Sequence, residues 1–417
     1  MHRKEFWFLV ATTALLGSTL PAVARSVAAY GWETGATKQV AYIATDGDIH
    51  ELYFQVGGGW AEADLTQLAR NVGFAAPQPR PGSPLAGYSW EIGSTKQVAY
   101  IAADGHIHEL YVQVGGGWAE ADLTALGLGP NVADDSPLAG YSWGFVGPKQ
   151  VAYIGVDRHI HQLQVDSGSW QDVDLTKLIF GPGGWQLHGP AVGSPLVGYG
   201  FNADSSSRHV WYIGDDGDII QFYQVYGGSW QFGLGLYACN PPCARPAVGS
   251  PLVGYDFAEG PSQQVVYMPD NAHIYELYAR RLHGWQLADL TRLAFGPLPP
   301  VESLPAVGSP LAGYGGGWPF LTHINSKQVD YIGANGHVYE LYVDLGSSWT
   351  PTDLTNLTID APTPDGTVLA GYYWGAGNSK QVVYTTADGH IHELYRVGGN
   401  PWAHLDLTDR IGATPVL

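Results

Sequence analysis

The sequence predicts an all-β fold: a seven-bladed β-propeller with four antiparallel strands per blade. Three observations carry this. A tryptophan recurs at Trp60, Trp118, Trp170, Trp230, Trp285, Trp349 and Trp402, with gaps of roughly 50 to 65 residues, the period of propellers and arrays. In six of the seven copies an Asp-Leu-Thr follows, led by Asp64, Asp122, Asp174, Asp289, Asp353 and Asp406. Turn dipeptides recur at Asp46-Gly47, Asp104-Gly105, Asp216-Gly217, Asn335-Gly336 and Asp388-Gly389, where glycine takes the positive φ of a hairpin.

The copy from Ser83 to Thr124 shows the unit most clearly. SPLAGYSW reads as the first strand and KQVAYIA as the second. HIHELYVQV alternates strictly and reads as the third, and GWAEADLT as the fourth. No long window has helical spacing of apolar residues. One blade cannot bury its own faces, so the repeat makes one domain rather than seven. Repeats start near residues 26, 83, 136, 194, 250, 309 and 367, and residues 26–417 form the propeller. The copy around Trp230 diverges most. The tail Gly412 to Leu417 reads as the start of an eighth copy, placed to close the ring against the first blade.

Residues 1–24 read as a signal peptide. Arg3 and Lys4 precede an apolar run from Phe6 to Leu20, and Ala22-Val23-Ala24 is a cleavage signature. The run is too short for a membrane span. Cleavage after Ala24 is expected, and with it a secreted or periplasmic protein. In that compartment Cys239 and Cys243 are expected to form a local disulfide.

The formal net charge of −19 argues against nucleic acid, which needs a basic surface. Membrane insertion is not expected. No nucleophile elbow or zinc-protease signature appears, so no catalytic residue is assigned and no enzyme is expected. No cofactor and no metal is assigned either. The His-Ile-His pairs, such as His106/His108, His159/His161 and His390/His392, share a strand face, but no third ligand is seen to recur and copies five and six have Tyr in the second slot.

A three-residue hairpin turn with left-handed Gly105 sets Ala99 opposite Glu109 and Gln97 opposite Tyr111. Carboxylate, amide and aromatic rings around a notch suit sugar recognition, by hydroxyl hydrogen bonds and ring stacking. The candidate sets are Gln39, Glu51, Trp60; Gln97, Glu109, Tyr111, Trp118; Gln264, Glu276, Trp285; Gln328, Glu340, Trp349; and Gln381, Glu393, Trp402. The same residues would also serve packing between blades. Copies three and four carry Gln162 and Gln221 in place of Glu, and Gln164 replaces the Tyr, so up to five working sites are expected, with copies three and four weak or silent.

The unit V-x-Y-x-x-x-D-G-x-I-x-E-L with its late Trp resembles the fucose-specific lectin propellers. That resemblance implies six or seven blades with sugar sites between them, and it matches the family's Glu to Glu51, Glu109, Glu276, Glu340 and Glu393. The family's Arg before V-x-Y is replaced here by Gln39, Gln97, Gln150, Gln264, Gln328 and Gln381, and by His209 in copy four. The expected function is a multivalent, non-catalytic carbohydrate-binding lectin with glycan or glycoconjugate partners. The alternative is a protein-interaction scaffold. A glycan-active hydrolase is a third reading.

Overall fold

A computed structural model describes residues 26–143, 147–166, 168–181, 188–201, 206–234, 244–257, 260–280, 284–315 and 326–417. The expected leader, Cys239 and Cys243 lie outside them. The described residues form seven four-stranded antiparallel sheets, each made of strands consecutive in sequence. In blade two these are Leu85–Trp90, Thr95–Ile101, Ile107–Gln113 and Ala119–Asp122. First strands of neighbouring blades lie side by side, so they line the axis. No helix among the described residues is long and apolar enough to cross a membrane.

The hairpin register is the expected one: Ala99 pairs with Glu109 and Gln97 with Tyr111. Gly105 has φ +80°. The second strand of blade two is buried along its whole length, as a strand covered on both faces must be. Its core is shared between blades: Tyr30, Val98, Tyr100 and Leu110 belong to one cluster that also takes Leu65 of the preceding copy.

Near the axis the blades approach most closely. A Cβ on Gly87 would lie 2.5 Å from the ring of Tyr30 in the preceding blade, and one on Gly140 would lie 2.5 Å from Tyr88. These are the glycines of the repeated Gly-Tyr, and their absent side chain is what lets the next tyrosine ring lie flat on the strand. Gly87→Val is therefore expected to cost about 1–3 kcal/mol through overpacking, read as a lower melting temperature.

The Asp-Leu-Thr motif is not the strand end expected from sequence. The Asp ends the strand and caps a short helix, as Asp64 does by accepting from the Gln67 amide at 2.8 Å. Such helices span Leu65–Asn71, Leu123–Gly127, Leu175–Phe180, Leu290–Phe295, Leu354–Leu357 and Leu407–Ile411. Their Thr hydroxyl accepts from the first amide of the third strand, as Thr124 does from Ile107 at 2.9 Å. The Leu is fully buried. One tripeptide thus caps a helix, plugs the core and pins a strand.

The tail closes the ring. Val416 bridges to Ala44, and the Leu417 amide donates to the Ile43 carbonyl at 3.0 Å. The Val416 amide donates to Gly389 at 3.0 Å, as Val132 does to Gly105 at 3.1 Å between blades two and three. The last residues thus fill the linker position that precedes every other blade. On the opposite rim Glu33 accepts from the Gly375 and Ala376 amides of blade seven, both at 2.6 Å. Burial raises the Glu33 carboxyl above its ordinary value, and those amides pull it part of the way back.

Candidate functional site

Two-residue periodicity decides which candidate side chains meet. In blade one Gln39, Glu51 and Tyr53 point to one face. Trp60 pairs with Phe54, which pairs with Lys38, and so points to the other. The structure therefore does not bring Gln39, Glu51 and Trp60 together, and the tryptophan of a set belongs to the junction on the far side of its own blade. At five of the seven junctions the Glu and Tyr of one blade face a lysine and the Trp of the next.

The sequence offers this lysine only as Lys96, the residue that a turn of two or four residues would put in place of Gln97, and not as the partner of the preceding copy's Glu. Lys96 bonds Glu51 of blade one, and Lys149 bonds Glu109 of blade two. Lys327 lies 2.6 Å from Glu276, Lys380 lies 2.5 Å from Glu340, and Lys38 closes the ring 2.7 Å from Glu393. The five glutamates are 1% exposed. Tyr88, on the first strand, also donates to Glu109 at 2.5 Å, and Tyr255 to Glu276 at 3.0 Å. Burial pushes the Glu51 and Glu393 carboxyls above the usual carboxylate range, opposed by the lysine and tyrosine beside each. A buried charge is tolerable only when paired and hydrogen-bonded in this way.

The signal that could have found these lysines is a one-copy offset. A Lys stands at 38, 96, 149, 327 and 380, in each case in the copy after a Glu. After Gln162 comes Arg208, and after Gln221 comes Gln263. Arg208 turns to Gln164 and Gln224, at 2.7 and 2.8 Å.

Each ammonium sits among rings. Lys96 Nζ lies 5.3 Å from the Trp118 ring centre, 5.6 Å from Tyr53 and 5.8 Å from Trp32. Lys149 lies 5.2 Å from both Trp170 and Tyr111. Lys327 repeats this with Trp349 and Tyr278, Lys380 with Trp402 and Tyr342, and Lys38 with Trp60 and Tyr395. Such cation–π contacts strengthen when desolvated. Tyr53, Tyr111, Tyr278, Tyr342, Tyr395 and most of these tryptophans keep part of their surface exposed; Trp32 and Trp402 are the buried exceptions.

Gln39, Gln97, Gln264, Gln328 and Gln381 are buried and hydrogen-bond a Thr or Ser two residues earlier on their own strand, as Gln381 does Ser379 at 2.5 Å. Trp285 stands at the junction with neither Glu nor Lys and packs edge-on against Trp211, ring centres 5.0 Å apart. The arrangement brings a tyrosine and a tryptophan from adjacent blades over a buried ion pair at five junctions, both rings being part-exposed at four of them.

No protein-family profile matches the chain, and no curated protein matches it in sequence. Solved structures do match in shape. BP39L lectin from Burkholderia pseudomallei superposes with a TM-score of 0.63 at 15% identity, over 91% of this chain and 98% of its own. AofleA from Arthrobotrys oligospora gives 0.52 at 16%, over 79% and 87%. The lectin of Aleuria aurantia, described as a six-bladed β-propeller with a novel fucose recognition mode, gives 0.51 at 18%, over 83% and 97%. The chain is thus similar to fucose-lectin propellers in its fold, and its seven blades extend the six of the Aleuria aurantia lectin by one.

Proposed function

We propose that the protein is a multivalent, non-catalytic carbohydrate-binding lectin, exported through its leader, with a sugar seated at each of five blade junctions. The observation that carries this reading is the repeated half-open pairing of a Tyr and a Trp from adjacent blades. Aromatic faces cover the apolar side of a pyranose. The buried Lys–Glu pair beneath holds the two walls in register. In this reading the rings of Tyr53 and Trp118, Tyr111 and Trp170, Tyr278 and Trp349, Tyr342 and Trp402, and Tyr395 and Trp60 make the contact, while the glutamates act from below. The junctions at Arg208 and Gln263 are silent. Several weak sites on a rigid disc gain by avidity on a glycan-coated surface.

A glycan array followed by titration calorimetry tests it. Binding of a defined glycan at several sites per chain is expected. Trp118→Ala should remove one site and leave the others unchanged. One ligand per chain would favour the interaction scaffold, and turnover of a glycan would favour the hydrolase.

A further inference from the structure

The rim opposite the aromatic recesses carries a second repeated constellation. In blade two it comprises Asp104 of the hairpin turn, His106 and His108 of the third strand's start, and Asp122, which caps the following helix. In blade three it comprises Asp157, His159, His161 and Asp174. In each set the four donor atoms lie within 4.8 Å of one another. The missing ligand of the His-x-His pair is supplied twice over, by carboxylates the fold brings in from either side.

We infer that blades two and three each hold a divalent transition-metal ion, zinc by chemistry, through two imidazoles and two carboxylates. Nitrogen and oxygen donors in fourfold array suit that ion. Metal–ligand bonds of about 2.0–2.2 Å put tetrahedral ligands about 3.4 Å apart. The neighbouring donors already stand just inside that edge. His106 Nδ1 lies 2.8 Å from Asp122 Oδ2, and His108 Nε2 lies 3.2 Å from Asp104 Oδ2. In blade three the corresponding pairs, His159–Asp174 and His161–Asp157, stand at 2.9 and 3.2 Å.

The outer contacts are those of a metal-binding imidazole. His108 Nδ1 meets Glu120 Oε1 at 2.7 Å, and His161 Nδ1 meets Asp172 Oδ2 at 2.8 Å. A carboxylate there holds the proton on Nδ1 and leaves the Nε2 lone pair facing inward. That lone pair then confronts a second carboxylate, a repulsive contact unless a cation stands between them or the ring takes a second proton. Each Asp also has its other oxygen tied down. Asp104 Oδ1 accepts from the His106 amide at 2.9 Å, and Asp122 Oδ1 from the Ala125 amide at 2.9 Å. Only Oδ2 is left to face the cluster. Asp104 is exposed and His106 and Asp122 are partly so, which opens a path for the ion.

The other blades supply an internal control. Blades five and six have Tyr275 and Tyr339 in the second histidine's place, and there the turn residue is Asn271 or Asn335. Each Asn donates to its Tyr hydroxyl, at 3.1 and 3.0 Å. In these two blades Asp and His are replaced together by a neutral pair that holds the same turn without a charge to satisfy, whereas blade four keeps Asp216 in the turn with Ile220 in the histidine's place. This site is independent of the sugar reading and lies on the other rim.

The test uses the metal itself. Protein stripped with a chelator is titrated with zinc chloride by calorimetry and native mass spectrometry, and with cobalt(II) for the visible bands of a tetrahedral site. Two zinc ions per chain and tetrahedral cobalt bands are expected. Asp104→Asn with His108→Tyr copies into blade two the pair already present in blades five and six, so the fold should survive. It should take one zinc fewer, and adding Glu120→Leu, the residue blade five has at that position, should keep the metal-free protein folded without stranding a carboxylate. Adding Asp157→Asn with His161→Tyr should leave none. A stripped protein that takes up no zinc at micromolar concentration overturns the inference, as does a stoichiometry the four ligand substitutions leave unaltered. In either case these rings serve only as hydrogen-bond partners of the carboxylates.

Discussion

Lys96→Ala is expected to lower the unfolding free energy by roughly 3–5 kcal/mol, the cost of stranding a buried charge. Glu51 is 1% exposed, and Lys96 is its cation. The tyrosine that also bonds it, Tyr30 at 3.3 Å, offers a neutral hydrogen bond only. The loss should depend on pH with a definite sign. Burial already raises the Glu51 carboxyl, and Lys96 is the largest influence pulling it down. Without Lys96 the folded-state value rises further above the unfolded one, so folding then favours the protonated acid. The penalty is complete well above the ordinary carboxylate range and shrinks as pH falls towards about 4.3. Urea unfolding at pH 8 and pH 5 should show it, with the larger loss at pH 8. Lys96→Met combined with Glu51→Leu should recover most of the stability, since well-packed apolar pairs often replace buried ion pairs at no cost. A single mutant as stable as the parent at both pH values would mean that the pair is hydrated and the recess open to its floor.

Asp330→Val should do the opposite and stabilise the protein, by about 1–3 kcal/mol at neutral pH. Asp330 is fully buried, and neither carboxylate oxygen has a hydrogen-bond partner among the described residues. It pairs across the strands with Glu340, another buried acid. The same position holds Ala41, Ala99, Ala152, Val266 or Val383 in five other blades. Burial drives the Asp330 carboxyl well above its ordinary value, Glu340 drives it further, and Lys380 only partly opposes them. A raised folded-state value means the native protein holds a proton that the unfolded chain has released. Wild-type stability should therefore fall as pH rises through that interval, by about 1.4 kcal/mol per unit. The mutant lacks this slope, so its advantage should widen from pH 5 to pH 8 in thermal melts. An Asp330→Val protein that melts lower would show that the carboxylate has a partner that the valine removes.

The propeller and the hairpin register were legible because both follow from local chemistry. Gly105 needs positive φ, and one turn length then sets Ala99 against Glu109. The helices escaped because four to seven residues are too few for a 3.6-residue period to show. The tryptophans were assigned to the wrong junction because the turn between third and fourth strands sets the Trp60 face, and its glycines allow either parity. Lys96 and Glu51 belong to different copies, so reading one repeat at a time hides their pairing. Asp122 stands sixteen residues beyond His106, at a helix cap that no strand pattern announces.

The place of the last three residues has a consequence for how the molecule is made. Val416 is 4% exposed and stitches blade seven to blade one. During synthesis those residues emerge only after all seven blades, so six junctions can form before the seventh is possible. Until then the edges of blades one and seven stand open, with Glu393 buried on one side only once Lys38 arrives on the other. Domains commonly begin to fold from the N-terminus during synthesis. Here the first blade can complete its second junction only after the seventh blade has emerged, and an arc lacking that blade has two adhesive ends, free to join another arc.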